Sequence, residues 1–303
     1  MPSDKFKSYL HFHFIVFIWG FTAILGALIS IDAIPLVWYR MLLASFFILG
    51  WIVFKRKQLK ISPQNIKVLA VAGIVIAVHW LTFFGAIKAS NVSITLALMS
   101  TGAFFTSILE PIFYKRKLIW YELVFGTIVI IGLYIIFKVE TEYLLGIGLA
   151  LCSAFLSAIF TLINGKMVSK ADSAVISFYE LGFGVVGISL YLLIMTFVAE
   201  GSGFTADFFV LSSMDWVYIG VLASVCTAYA FIASVMVMRH LSPYTIMLTI
   251  NLEPVYGIIL AYFIFGNKEK MSTEFYLGAV VIVSTVILNG ILKNRKKLQQ
   301  SAH

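Results

Sequence analysis

Four charged side chains stand inside runs that are otherwise apolar: Arg40, Glu110, Glu180 and Glu253. A charge at the centre of a membrane-spanning helix costs about 2.5–3.5 kcal/mol on insertion scales, so each is a candidate for function by default. Glu253 is the deepest. At a rise of 1.5 Å per residue it lies roughly 18 Å from the start of its run, near a bilayer midplane. Pro254 follows it, removes one intrahelical hydrogen bond and frees a carbonyl near Ile250. A carboxylate beside a broken turn can bind an amine or hold a proton; the plainer reading is a structural glutamate bonded to a neighbouring helix. Glu110-Pro111 looks like a second copy, but a shift of 151 residues aligns it with Ala261-Tyr262, closer to Lys115 and Arg116, which can neutralise it.

Arg40 and Glu180 occupy corresponding positions at a shift of 140, with opposite charge. Entering from opposite faces, they lie roughly 10 Å or more apart in depth and cannot pair. Arg40 can attract an anion or a carboxylate, or bond to backbone carbonyls; Glu180 can bond to Lys166 or Lys170. His79, followed by Trp80, is either a neutral histidine bonded to a hydroxyl or a proton relay. Asn164, Ser100, Thr101 and Asn251 can line a polar cavity, and Tyr39, Tyr179 and Tyr256 can reach it. No G-x-x-x-x-G-K-[ST] loop, H-E-x-x-H or Cys/His cluster occurs, so no nucleotide, metal or other cofactor is expected. Cys152 and Cys226 fall inside apolar runs and read as small apolar filler.

The elements that carry these residues follow from composition. Of 303 residues, 61% are apolar and 12% charged, with mean hydropathy +1.00. That excludes disorder, a disulfide scaffold and a soluble globule, which needs a charged surface. Apolar runs of helix-spanning length cover about 10–30, 34–54, 67–87, 92–114, 119–138, 144–165, 174–199, 215–237, 242–265 and 273–292. The expected fold is therefore an all-α integral membrane protein with ten transmembrane helices. Phe204, Phe208 and Phe209, in the longest connection, are expected at the membrane interface.

The net charge of +8 is a topology signal. Its lysines and arginines cluster in alternate connections, at 55–60, 115–117, 166–170 and after 292. Only Lys88, Lys138, Lys268 and Lys270 fall on the other side, with most of the acidic residues. By the positive-inside rule both termini are cytoplasmic, in a multi-pass protein of the cytoplasmic (inner) membrane. A nucleic-acid partner is rejected; the lipid bilayer and a small-molecule substrate are the expected partners.

Both ends on one side of ten helices make the two five-helix halves, residues 1–140 and 141–303, inverted with respect to one another. At a shift of 138, Pro35 meets Ser173; at 151, Lys88 meets Arg239 and Gly102-Ala103 meets Glu253-Pro254. A 5+5 inverted repeat is a common plan of secondary transporters, with substrate held near the midplane. The stripe Gly146, Ala150, Ala154 and Ala158 offers a face for close helix packing.

At this point the chain resembles a known family, the EamA-like type of the drug/metabolite transporter superfamily. The residues are Trp19-Gly20, Pro35 followed by Arg40, Ala86-Ile87-Lys88, Leu252-Glu253-Pro254 and the closing Gly266. The resemblance covers nearly the whole chain and implies secondary transport of small metabolites, often export of amino acids or related compounds; with no ATP site in the sequence, the expected drive is a gradient, of substrate, of protons or by exchange. Two other classes share the composition: a membrane structural or assembly protein, and an intramembrane enzyme acting on lipid. Substrate-dependent flux separates transport from both.

Overall fold

A computed structural model describes residues 4–115, 120–199 and 203–300. Among them there is no strand. The helices are α1 (Asp4–Leu28), α2 (Ala33–Phe54), α3 (Pro63–Ala89), α4 (Val92–Met99), α5 (Gly102–Tyr114), α6 (Trp120–Val139), α7 (Leu144–Met167), α8 (Ser173–Val198), α9 (Ser213–Ala223), α10 (Ala230–Val237), α11 (Pro243–Ile250), α12 (Glu253–Phe265) and α13 (Thr273–Gln300). Among the described residues, eight segments are long and apolar enough to cross a membrane; three of them are the paired stretches α4–α5, α9–α10 and α11–α12. Large apolar side chains face outward all round, among them Phe54, Leu145, Phe197 and Phe263, as lipid solvation requires.

The starts of the helices are written locally. Ser62 precedes Pro63 and accepts from Asn65 N, Asn91 accepts from Ile94 N, and Ser242 precedes Pro243 and accepts from Thr245 N. Ser212 and Asp215 form a reciprocal capping box at α9.

The spans read as continuous over 92–114, 215–237 and 242–265 are interrupted. Between α4 and α5 the chain tightens at Ser100-Thr101, where Thr101 N bonds to Leu98 O at 3.0 Å. Between α11 and α12 it tightens at Asn251-Leu252, where Leu252 N bonds to Thr249 O at 3.0 Å. The two breaks correspond at the same shift of 151 seen in the sequence. Between α9 and α10, residues Ser224–Tyr229 form a π-helical turn. Apolar periodicity does not report such breaks, because lipid-length runs stay apolar through them.

Packing joins elements far apart in the chain throughout. α3 lies on α7 and α8, while α1 lies on α9, the π turn and α10, and α2 on α9 and the π turn. α5 lies on α7, α12 on α1, α2 on α8 and α6 on α13. The small-residue stripe of α7 is buried, and a Cβ on Gly146 would stand 2.6 Å from Ser90 Oγ. Phe208 is buried in the protein: its ring stacks on Tyr39 at 5.8 Å and meets Trp38 edge-on at 5.5 Å. Tyr39 is thereby covered by this loop.

Candidate functional site

A cavity of about 70 Å3 lies at the centre of the bundle. Five of the sequence candidates line it: Arg40, His79, Trp80, Asn164 and Glu253. They come from α2, α3, α7 and α12.

Arg40 is buried, and its position rests on a device invisible in the sequence. The π turn displaces Thr227 so that its hydroxyl donates to Leu222 O, five residues back, at 2.7 Å and accepts from Arg40 Nε at 2.7 Å. The carbonyl of Cys226, in the same turn, accepts from Trp19 Nε1 at 3.2 Å. π turns inserted in α-helices often mark functional sites for this reason. The guanidinium carbon lies 3.8 Å from the centre of the Trp80 ring and 5.4 Å from that of Phe84. A stacked cation of this kind gains about 2 kcal/mol when desolvated. Arg40 Nη1 has no hydrogen-bond partner.

Glu253 opens α12 directly after the break, so its carboxylate sits at a helix N-terminus, which favours negative charge. Among the described residues no ion pair within 4 Å joins it to Arg40, although both line the same cavity. A cation and a carboxylate thus face one space without closing on each other.

His79 uses one ring nitrogen for structure. Its Nδ1 meets Ser153 O at 2.9 Å and Ser153 Oγ at 2.8 Å, which ties α3 to α7. Phe160 and Phe83 flank the ring.

Glu180 does not bond to Lys166 or Lys170. It is fully buried, and its Oε2 accepts from Asn164 Nδ2 at 3.3 Å. Lys166 lies over the rings of Phe113 and Tyr114.

The remaining sequence candidates are outside the cavity lining. Ser100 and Asn251 are buried at the two helix breaks. Thr101 donates to Leu98 O at 2.7 Å and so closes its own turn. Tyr256 packs α12 on α1: its Cβ lies 2.9 Å from where a Cβ on Gly20 would stand, and its ring meets Phe17 edge-on. Sequence reasoning missed Thr22, Met99, Ser157, Thr161 and Ser234 as lining residues. Hydroxyls on small side chains carry no signal in an apolar run. Cys226, read as filler, lines the cavity as well.

The two ends of the bundle differ. At the lysine-poor end the ties are buried carboxylates. Asp215 accepts from Ser30 N and Ser30 Oγ, each at 2.7 Å, and Glu269 accepts from Val92 N at 3.1 Å, Ser93 N at 2.9 Å and Ser93 Oγ at 2.7 Å. Lys88 donates to Ile29 O. At the lysine-rich end, Lys57 pairs with Asp172 at 2.7 Å, partly exposed. Burial alone would raise the Asp172 pKa, but Lys57 and the N–H of Ala174 outweigh it and hold the carboxyl below its usual range.

The architecture is that of a polytopic membrane protein with interrupted helices around a central polar cavity. The chain matches the EamA-like transporter family over residues 7–138 and 144–291, and it belongs to that family. A protein of Archaeoglobus fulgidus described as an uncharacterized transporter is 24% identical over 293 residues, covering 93% of this chain and 96% of the relative. One of Clostridium kluyveri with the same description is 26% identical over 246 residues, covering 78% and 75%. A solved crystal structure 12% identical to this chain superposes with a TM-score of 0.67, over 95% of this chain and 99% of the other, a likeness of fold alone.

Proposed function

We propose that this member of the EamA-like family is a secondary transporter, with ten membrane-crossing segments arranged as a 5+5 inverted repeat, that moves small zwitterionic metabolites across the cytoplasmic membrane by alternating access. Amino acids and related compounds are the substrate class, and export is the direction. The observation that carries this reading is the pair Arg40 and Glu253. They face one cavity from separate parts of the chain and are not paired. A carboxylate of the substrate takes Arg40, where a guanidinium nitrogen lacks a partner, and its amine takes Glu253.

The repeat is supported by three observations. The breaks at Ser100-Thr101 and Asn251-Leu252 correspond at one shift. The packing of α3 on α7 and α8 is mirrored by that of α9–α10 on α1 and α2. The family match falls in two segments that divide near residue 140, where the two proposed units meet. Substrate between two such units is the geometry that rocking requires. The clustered lysines and arginines support cytoplasmic termini.

Flux of radiolabelled amino acids in proteoliposomes tests the reading. Uptake is expected for zwitterions, and to fall at least tenfold for the matching amines and carboxylic acids that lack one charge. Glu253→Gln keeps size and hydrogen bonding and loses the charge, so it is expected to remove most of the flux with the protein folded. No flux of any amino acid, or equal flux of the one-charge analogues, overturns the zwitterion assignment.

A further inference from the structure

Glu180 and Asn164 are both fully buried, and each keeps one oxygen without a partner: Oε1 of the glutamate and Oδ1 of the amide. Asn164 Nδ2 donates to Glu180 Oε2 at 3.3 Å. Two free oxygens cannot satisfy each other, since both only accept. One proton can satisfy both. A carboxylic acid and an amide joined through a single N–H···O bond complete a ring when the second carboxyl oxygen donates to the amide oxygen.

The surroundings supply no counter-charge. α8 packs on α2, α3 and α10. On α2, Arg40 bonds to Thr227 through Nε, stacks on the Trp80 ring and makes no ion pair with Glu180. On α3, His79 is bonded to Ser153, Lys88 donates to Ile29 O, and Lys67 is exposed. α10 carries no titratable side chain. On α7, which supplies Asn164, Lys166 lies over aromatic rings. On α8 itself, the Tyr179 hydroxyl donates to Leu59 O at 3.0 Å. No ion pair within 4 Å reaches Glu180 among the described residues. An ionised carboxylate with one hydrogen bond and no cation is a costly thing to bury.

We propose that Glu180 and Asn164 form a proton-binding site behind the cavity wall, occupied in this conformation by a proton that Glu180 Oε1 donates to Asn164 Oδ1. The site sits where coupling needs it. Asn164 also lines the cavity, so a substrate group there competes with Glu180 for one amide. The backbone of Glu180 lies against Gly73 of α3, on the contact between the two parts of the chain. An acid deprived of its amide leaves unpartnered polar atoms in that contact, which favours the arrangement in which it opens and water takes the proton. The coupling half rests on the transport reading; the proton site does not.

Infrared spectra of the full chain in proteoliposomes test the site without any substrate. The wild type at neutral pH is expected to show a protonated-carboxyl C=O band that shifts in D2O, vanishes in Glu180→Gln and moves to higher wavenumber in Asn164→Leu, where the amide acceptor is gone. If Glu180→Gln does not fold, 13C-labelled glutamate in the wild type and in Glu180→Asp gives the same reading, since the labelled band must be lost on the change to aspartate. No band attributable to Glu180 overturns the proposal. For coupling, an imposed pH gradient is expected to raise wild-type uptake of a radiolabelled amino acid mixture several-fold and to leave Glu180→Gln at its no-gradient rate. Equal responses overturn the coupling. Absence of all amino acid flux in the wild type counts against the transport reading alone, while the infrared band still decides the proton site.

Discussion

Gly73 of α3 and the backbone of Glu180 in α8 approach so closely that a Cβ on Gly73 would stand 2.3 Å from the Glu180 carbonyl oxygen. On the opposite side of this contact, a Cβ on Gly184 would stand 3.0 Å from Gly73 O and 2.1 Å from the Met41 methyl. Small residues let helices meet at backbone distance in a membrane, where the hydrophobic effect between helices is missing. The contact has no room for a methyl group unless a backbone moves. Gly73→Ala is therefore expected to destabilise the folded protein by about 1–3 kcal/mol, the usual range for overpacking. A thermal melt in detergent unchanged from wild type would show that α3 and α8 do not pack this closely.

Arg40 makes two demands that lysine cannot meet together: a hydrogen bond from Nε to Thr227 and a planar stack on Trp80. Arg40→Lys keeps the charge and is expected to lower flux about tenfold, equivalent to about 1.4 kcal/mol. Thr227→Val, which removes the acceptor, is expected to move flux in the same direction. Wild-type flux in both variants would mean that a positive charge suffices and the geometry built by the π turn is incidental.

Cys226 lines the cavity and Cys152 is exposed. In a Cys152→Ala background, a small thiol reagent is expected to modify Cys226 slowly, and a transported amino acid is expected to slow it further, by occlusion or by shifting populations. Ser100, buried at the first helix break and outside the cavity lining, is expected to be the poorer reporter when changed to cysteine. Reaction at Cys226 indifferent to every transported compound would place the pathway elsewhere.

Glu269 caps the start of α4 with three hydrogen bonds while lying in the turn after α12, so it ties distant parts of the chain together at the lysine-poor end. Removing one hydrogen bond to a charged group costs about 1.5–3 kcal/mol. Glu269→Ala is expected to lower thermal stability by at least that much, and Glu269→Gln by less, since the amide oxygen still accepts. Equal melting of both variants and wild type would contradict this tie.

Orientation has its own test. With both native cysteines replaced, a cysteine at Asp207 is expected to react with an impermeant reagent from outside intact cells, and one at Lys60 only after the membrane is opened. Both positions are exposed. Labelling of Lys60→Cys from outside would reverse the topology read from the lysines and arginines.

The membrane class and the approximate positions of the long apolar segments were legible in the sequence. Run length and the clustering of charge are properties of neighbouring residues, and neighbouring residues suffice to state them; the Ser62-Pro63 cap, equally local, starts α3 four residues before the apolar run does. Arg40, His79, Asn164 and Glu253 were legible as candidates because polar groups are rare in apolar runs. What each one touches was not. Thr227 is 187 residues from Arg40, and only the register slip of the π turn brings its hydroxyl into line. The break at Ser100-Thr101 has no proline to announce it, and the pairing of Glu180 with Asn164 depends on how α7 and α8 rotate about their axes. In a helix that lipid surrounds, apolar residues face outward as readily as inward, so periodicity fixes the length of a span but leaves its rotation free. Backbone contacts at Gly73, Gly146 and Gly184 fix that rotation, and with it which polar groups meet in the cavity and which end up behind its wall.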